Sequence, residues 1–253
     1  LKFTTTPYDQ QGAADGGGEE EFETQFEDLA WSDEFDGDML DTDTWNYETG
    51  NGTNGWGNNE VQYYTEDNVS VQDGILQITA RREAESGFDY TSARITTQDK
   101  YEFTYGRIEA RAKMPAGGGT WPAIWMLGAN FDEVGWPQTG EIDIMEWVGN
   151  DPDRTSSALH FPGNFGGNAV VGDSTIDNAT SEFHIYTAEW TEDTITFLLD
   201  GEVFFTFDND ASKPFNKDFF LIMNVAMGGG LAGAIDPAFQ ESSMEVDYIR
   251  VYQ

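Results

Sequence analysis

Gly140-Glu141-Ile142-Asp143-Ile144-Met145-Glu146-Trp147 places three carboxylates within six residues, separated by Ile and Met and closed by Trp. The exchange of acid and apolar residues from Glu141 to Ile144 has the period of a β-strand with one apolar and one carboxylate face. Glu141 and Asp143 therefore point the same way. Glu146 follows Glu141 by an odd number of steps, so an ideal strand would turn it to the other side. One β-bulge near Ile144-Met145 restores the parity and gathers all three acids on one face. Glu141 and Glu146 are then about four strand steps apart, roughly 13 Å between Cα atoms at ~3.3 Å per step. Leaning together over the shorter Asp143, their carboxyl groups come to about 5–6 Å, close enough for one to attack an anomeric carbon while the other protonates the leaving oxygen. Crowding of like charges raises the proton affinity of at least one member, as a general acid near neutral pH requires. Two other readings of the triplet stay open at this point: solvated acidic surface, or a calcium cluster built from oxygen ligands.

The same alternation runs through much of the chain. Val69-Ser70-Val71, Ile75 to Ala80 after the Asp73-Gly74 turn, Ala93 to Thr97, Tyr105 to Met114, and Met244 to Tyr252 all read as strands. Thr194 to Leu199 and Val203 to Phe207 flank an Asp200-Gly201 hairpin turn. Phe219 to Met227 is apolar except for Asn224, the mark of a central strand. No segment holds a helical period beyond two turns, and no repeat recurs at solenoid or propeller spacing. The expectation is one all-β domain, two sheets packed face to face, spanning 28–253. Residues 1–27, with Gly16-Gly17-Gly18 and Glu19-Glu20-Glu21, read as a flexible acidic Gly/Glu-rich tail or linker.

Composition narrows the partners. Twelve basic against 47 acidic residues leave a net charge of −35. Nucleic acid and anionic membranes would be repelled at long range, and so would sulfated or uronic polysaccharides. A neutral glycan is the easier guest, and a monomer is expected. Self-repulsion on this scale needs screening, which predicts a halophilic, salt-adapted protein. Cysteine is absent, which removes disulfides and zinc–thiolate sites. No apolar run reaches transmembrane length. Because the first residue is Leu1, a signal peptide is read as removed or omitted, and an extracellular, secreted location is expected from the substrate class.

Aromatic residues gather around the acidic stretch. Trp121, Ala123 and Trp125 share a strand face, and Trp136 lies just before Glu141. Indoles offer flat platforms to pyranose C–H faces and an N–H donor, although core packing is the alternative for any one of them. The Gly50–Asn59 loop holds a formal Gly-x-Gly-x-x-Gly, rejected as a dinucleotide site because no helix follows it. It runs into a polar and aromatic stretch with the look of a sugar-facing rim. His160 falls in the same neighbourhood if sequential strands pair, whereas His184 is expected to cap or pack. Neither His-Glu-x-x-His nor Gly-x-Ser-x-Gly occurs, which disfavours a metalloprotease or serine hydrolase.

Four separated motifs carry a family resemblance. They are Glu141-Ile142-Asp143-Ile144-Met145-Glu146, Trp121-Pro122-Ala123-Ile124-Trp125-Met126, the run from Gly55 to Thr65, and Val246-Asp247-Tyr248-Ile249-Arg250-Val251-Tyr252. In this order, over roughly Leu29 to Gln253, the chain resembles glycoside hydrolase family 16, and within it the laminarinases, endo-β-1,3-glucanases. The resemblance implies a β-jelly-roll sandwich with a concave substrate cleft and retaining endo-hydrolysis of a neutral β-glucan, with no cofactor in the reaction. It assigns Glu141 as nucleophile, Glu146 as general acid/base and Asp143 as assisting carboxylate. Asn58, Arg94, Trp121, Trp125, Trp136 and His160 become subsite residues. It also implies a structural Ca2+ held by Glu34, the Gly74 carbonyl and Asp247. Mixed-linkage β-1,3-1,4-glucan hydrolysis and a non-catalytic glucan-binding module are the alternatives.

Overall fold

A computed structural model describes residues 22–253. Among them, two sheets pack face to face. The eight-stranded sheet runs Val170–Thr175, Arg154–His160, Glu141–Trp147, Thr120–Gly128, Phe219–Met227, Arg94–Thr96, Asn46–Glu48, with Glu102–Phe103 paired beside Phe219–Met227. The ten-stranded sheet is built around Gly106–Lys113 and the long C-terminal strand Glu241–Tyr252. All strand pairs are antiparallel except Gln62–Tyr64 with Tyr90–Ser92. Helix is confined to short pieces such as Phe131–Val134 and Gly229–Ala232, in keeping with the lack of helical periodicity.

Alternation sorts the strands into the core. Ile142 and Ile144 from the acidic strand, Ile124 and Met126 beside it, and Leu221, Met223 and Val225 beyond are all at most 2 % exposed. They meet Ile78, Ile108, Val246 and Ile249 of the opposite sheet in one continuous cluster. Each such aliphatic chain is worth about 1.5–3 kcal/mol when fully removed from water. Phe219–Met227 is buried along its whole length and lies inside the sheet, as its near-unbroken apolar run predicts. On the other face of the eight-stranded sheet a smaller cluster, Leu127, Phe220 and Ile222, packs with Trp125. That open face carries the acids.

The N-terminal boundary differs from the sequence reading. Residues 1–21 of the expected tail lie outside the described residues. Within 22–27, Thr24 donates to Glu189 at 2.5 Å and the Gln25 N–H to the same carboxylate at 3.0 Å. Two hydrogen bonds to a buried acid dock this stretch on the ten-stranded sheet, so it is part of the fold and not linker. Composition alone does not reveal that, because the partner is supplied by a strand far along the chain.

Candidate active site

The chain enters the acidic strand through Gly140, whose φ of +80° is one that side chains rarely adopt and whose neighbours would have to give way to a Cβ. A Cβ there would stand 3.0 Å from Pro214 and 3.1 Å from the Phe219 ring. The strand Glu141–Trp147 then bulges where parity requires it. On one side Asp143 pairs with Trp125 and Met145 with Ile124, leaving Ile144 as the extra residue. On the other, Asp143 pairs with Ala158 and Glu146 with Ser156. A bulge frees backbone groups from the ladder. Ser157 Oγ donates to the Ile144 carbonyl at 2.7 Å and Thr155 Oγ1 to the Glu146 carbonyl at 3.1 Å. Hydroxyls of the neighbouring strand thus satisfy oxygens the bulge leaves over.

The result is a grid on the open face. Glu141 stands between His160 and Leu127, Asp143 between Ala158 and Trp125, and Glu146 between Ser156 and Ala123. The Glu146 row continues through Asn224 and Arg94 to Glu48. Trp121 Nε1 donates to Glu146 Oε1 at 3.1 Å. Beside Glu146 lies a hollow of about 200 Å³, bordered by Asn150, Arg154, Ser156 and Leu231.

Burial dominates the electrostatics. Glu141, Asp143 and Glu146 are each pushed up to about 8, first by loss of water around the charged form. The Asp143 charge raises both glutamates further; Arg94 lowers Glu141, and the Trp121 hydrogen bond lowers Glu146. The three carboxyls therefore release protons in steps that belong to the group. Such a set holds a carboxylate and a carboxylic acid side by side near neutral pH.

Arg94, Trp125, Asn58 and Trp136 have the following surroundings. Arg94 lies between two indoles, 4.5 Å from the Trp56 ring centre and 4.8 Å from that of Trp125, and its Nε pairs with Glu48. Trp125 Nε1 donates to Asn224 Oδ1 at 2.8 Å, and Asn224 Nδ2 to the Tyr64 hydroxyl at 3.2 Å. Tyr64, Gln62 and Asn58 all donate to Glu60, so Asn58 joins the face through this buried chain. Trp136, 41 % exposed, stands at the rim, 5.8 Å from His160 and 5.3 Å from Phe165 between ring centres. His184 sits away from this face, bound to Asp200 at 2.7 Å.

Glu48, Glu60, Gln62, Tyr64 and Phe165 were not singled out from the sequence. For Glu60, Gln62 and Tyr64 a signal existed, since every second residue there is polar and shares one side. Asn224 was marked only by its intrusion into an apolar run; it serves side chains on the open face, not backbone groups. Glu48 and Phe165 gave no signal.

Two cation sites deserve a fit test on their donors. Glu141, Asp143 and His160 bring ligand atoms within 4.8 Å of one another. However, His160 Nδ1 accepts from the Gly166 N–H at 3.1 Å. A neutral ring then carries its proton on Nε2, the nitrogen facing the acids, and lacks the lone pair a metal needs. The expected calcium donors are likewise committed. Glu34 accepts two bonds from Arg250 at 2.8 Å, and Asp247 accepts from Arg111 at 2.5 Å. Gly74 occupies a turn at φ +77°. As arranged, Glu34 has both oxygens and Asp247 its Oδ2 bonded to arginine, so calcium at these positions would compete with Arg250 and Arg111.

The Glycosyl hydrolases family 16 profile matches residues 58–250. A beta-glucanase of Rhodothermus marinus is 41% identical over 244 residues, covering 89% of this chain and 85% of that protein. The laminarinase catalytic domain of Thermotoga maritima superimposes with a TM-score of 0.85 at 43% identity, over 90% of this chain and 99% of that one. A non-specific endo-beta-1,3(4)-glucanase of family 16 gives 0.84 at 37% identity, over 91% and 96%. The jelly-roll sandwich expected from the motifs is the architecture these structures share with the chain.

Proposed function

The chain belongs to glycosyl hydrolase family 16, and from that membership we propose that it cleaves β-1,3-glucan internally, with retention of anomeric configuration. Glu141 attacks the anomeric carbon, forming an ester bond as the glycosidic C–O bond breaks. Glu146 gives its proton to the departing oxygen. Water then enters, Glu146 takes a proton from it, and the ester is cleaved, regenerating both carboxyl groups. Asp143 holds Glu141 in place and keeps the charge of the group from spreading to the acid. Trp121 and Trp125 offer stacking faces to glucose rings, Arg94 and Asn224 fix the Trp125 plane, and Asn58, Trp136 and His160 border the bound chain.

The bulge carries this reading. It is what turns Glu146 to the side of Glu141 and Asp143, opposite Ser156 and Ala123; a regular strand would send it into the core. The test is digestion of laminarin, lichenan, agarose and carrageenan side by side, with the anomer first released followed by proton NMR. Internal cleavage of laminarin with a β-anomer product is expected. Inertness on laminarin, or an α-anomer product, overturns the reading.

Mixed-linkage β-1,3-1,4-glucan is a second substrate reading, favoured by the likeness to the non-specific endo-beta-1,3(4)-glucanase. Comparable rates on lichenan and laminarin would support it. A polymer substrate of this kind is met outside the cell, so a secreted enzyme is the fitting location. The net charge of −35 supports action in salt.

A further inference from the structure

We propose that Gly166 makes His160 a positioning residue: its backbone N–H fixes the imidazole with the proton on Nε2 and presents that N–H to Asp143 and Glu141. The proposal rests on the catalytic roles given above to those two acids.

His160 ends its strand directly opposite Glu141. The chain then reverses tightly, with Phe161 and Asn164 exchanging backbone bonds at 2.8 and 2.9 Å. This brings Gly166 back over the ring. Its φ of +56° is one that residues with a side chain rarely adopt, although there is open space around it. Glycine adopts this conformation without strain, and the conformation aims the N–H at His160 Nδ1, 3.1 Å away. Trp136 closes on the same ring, with Phe165 behind it.

A ring that accepts at Nδ1 holds its proton on Nε2. Nε2 lies 3.2 Å from Asp143 Oδ2 and 3.5 Å from Glu141 Oε1. Asp143 is 4 % exposed, and its Oδ2 has no hydrogen-bond partner at this alignment. Catalytic hydrogen bonds tighten when the substrate complex forms. One N–H is therefore available to two carboxylates that alternate in charge. It steadies Glu141 before attack, and when Glu141 becomes the ester it stays with Asp143.

Two measurements test this. The wild-type enzyme labelled with 15N in its imidazoles is read by NMR, and His160→Gln assigns the signal, since the chain has only two histidines. An unprotonated Nδ1 and a protonated Nε2 are expected. A proton on Nδ1, alone or in an imidazolium, overturns the proposal. Kinetically, Gln reaches the Nε2 position with an N–H donor, whereas Asn reaches only the Nδ1 position. His160→Gln is expected to keep kcat within about tenfold, and His160→Asn to lose on the order of 100-fold in kcat with KM within about threefold. Equal losses, or the reverse order, would point to loop support as the whole role. Should both variants fail to fold, His184→Gln, away from this face, assigns the wild-type spectrum by elimination and still decides. An enzyme inert on laminarin would end the catalytic reading and leave the tautomer result standing by itself.

Discussion

Replacing Glu146 by Gln should make the protein more stable in alkali while removing most of its activity. Gln is isosteric and its oxygen can still accept from Trp121 Nε1, which lies 3.1 Å from Glu146 Oε1, so the packing is preserved. What changes is the charge. Glu146 is pushed from an ordinary 4.5 up to about 8 in the folded chain. Below the unfolded value both states hold the proton, and the substitution should be nearly neutral. As pH rises from about 4.5 to 8 the unfolded chain releases its proton first, so the wild type loses stability through that window and the variant does not. If Glu146 alone carried the shift, the gain would reach about 5 kcal/mol at 1.36 kcal/mol per pKa unit. It shares its field with Asp143 and Glu141, so its own part is on the order of 1–3 kcal/mol. For a chain of this size that is about 2–10 °C in Tm. Melting both proteins at pH 4 and pH 9 in equal salt reads it. A Tm difference that is the same at both pH values, or larger at pH 4, would refute the argument. The activity side is independent. Polymer hydrolysis should fall by about 10²–10⁴, while an aryl glucoside with a good leaving group should still form the glycosyl-enzyme. Azide, which needs no general base, should then rescue turnover as the β-glycosyl azide.

Glu141→Gln should lose on the order of 10⁴-fold or more in kcat on laminarin, and mass spectrometry of the quenched variant should find no glycosyl adduct; near-full activity would end the assignment. The pH–rate profile of the wild type should be bell-shaped, with an alkaline limb near 8 as the last acid of the group ionises; a flat profile from pH 6 to 10 would contradict the burial argument. Asn224→Leu removes the acceptor of Trp125 Nε1 and the donor to the Tyr64 hydroxyl, so KM for laminarin should rise several-fold, at a stability cost of about 1–3 kcal/mol; an unchanged KM would show that Trp125 needs no orienting. Tm should climb between 0.1 and 2 M NaCl, as the Debye length falls from about 10 Å to under 3 Å; equal melting in both would remove the salt-adaptation reading.

The parity of five steps between Glu141 and Glu146 is a local fact, and it was enough to place a bulge near Ile144-Met145; the strand register then identifies Ile144 as the extra residue. Strand identity followed for the same reason, since period-two patterning reports which side faces the core and needs no knowledge of the partner. The residues that went unseen are those whose role is set by pairing across the chain. Glu48 acquires meaning only because Arg94 lies opposite it. Phe165 matters through a reversal that sets it edge-on to Trp136. Glu34 and Asp247 were named as calcium donors only through the family resemblance, and the C-terminal and neighbouring strands bring Arg250 and Arg111 onto them.

The excess of acid has a structural counterpart that ties stability to the site. Eight of the eleven described basic residues pair with carboxylates. The other three, Arg82, Lys100 and Lys217, hold backbone or amide oxygens instead. Among the described residues, no lysine or arginine is therefore left over to neutralise the three buried acids. Arg94, the one whose charge reaches Glu141, is already paired with Glu48 and clamped between two rings. Burial without a counter-ion is what raises these carboxyls, and the same absence costs the fold stability above neutral pH. A lysine introduced within reach of Glu146, for instance at Ser156, should stabilise the alkaline form and pull the acid down toward its ordinary value. The alkaline limb of the rate profile should then move to lower pH as Tm at pH 9 rises. If both moved up together, burial would not be the source of the proton affinity.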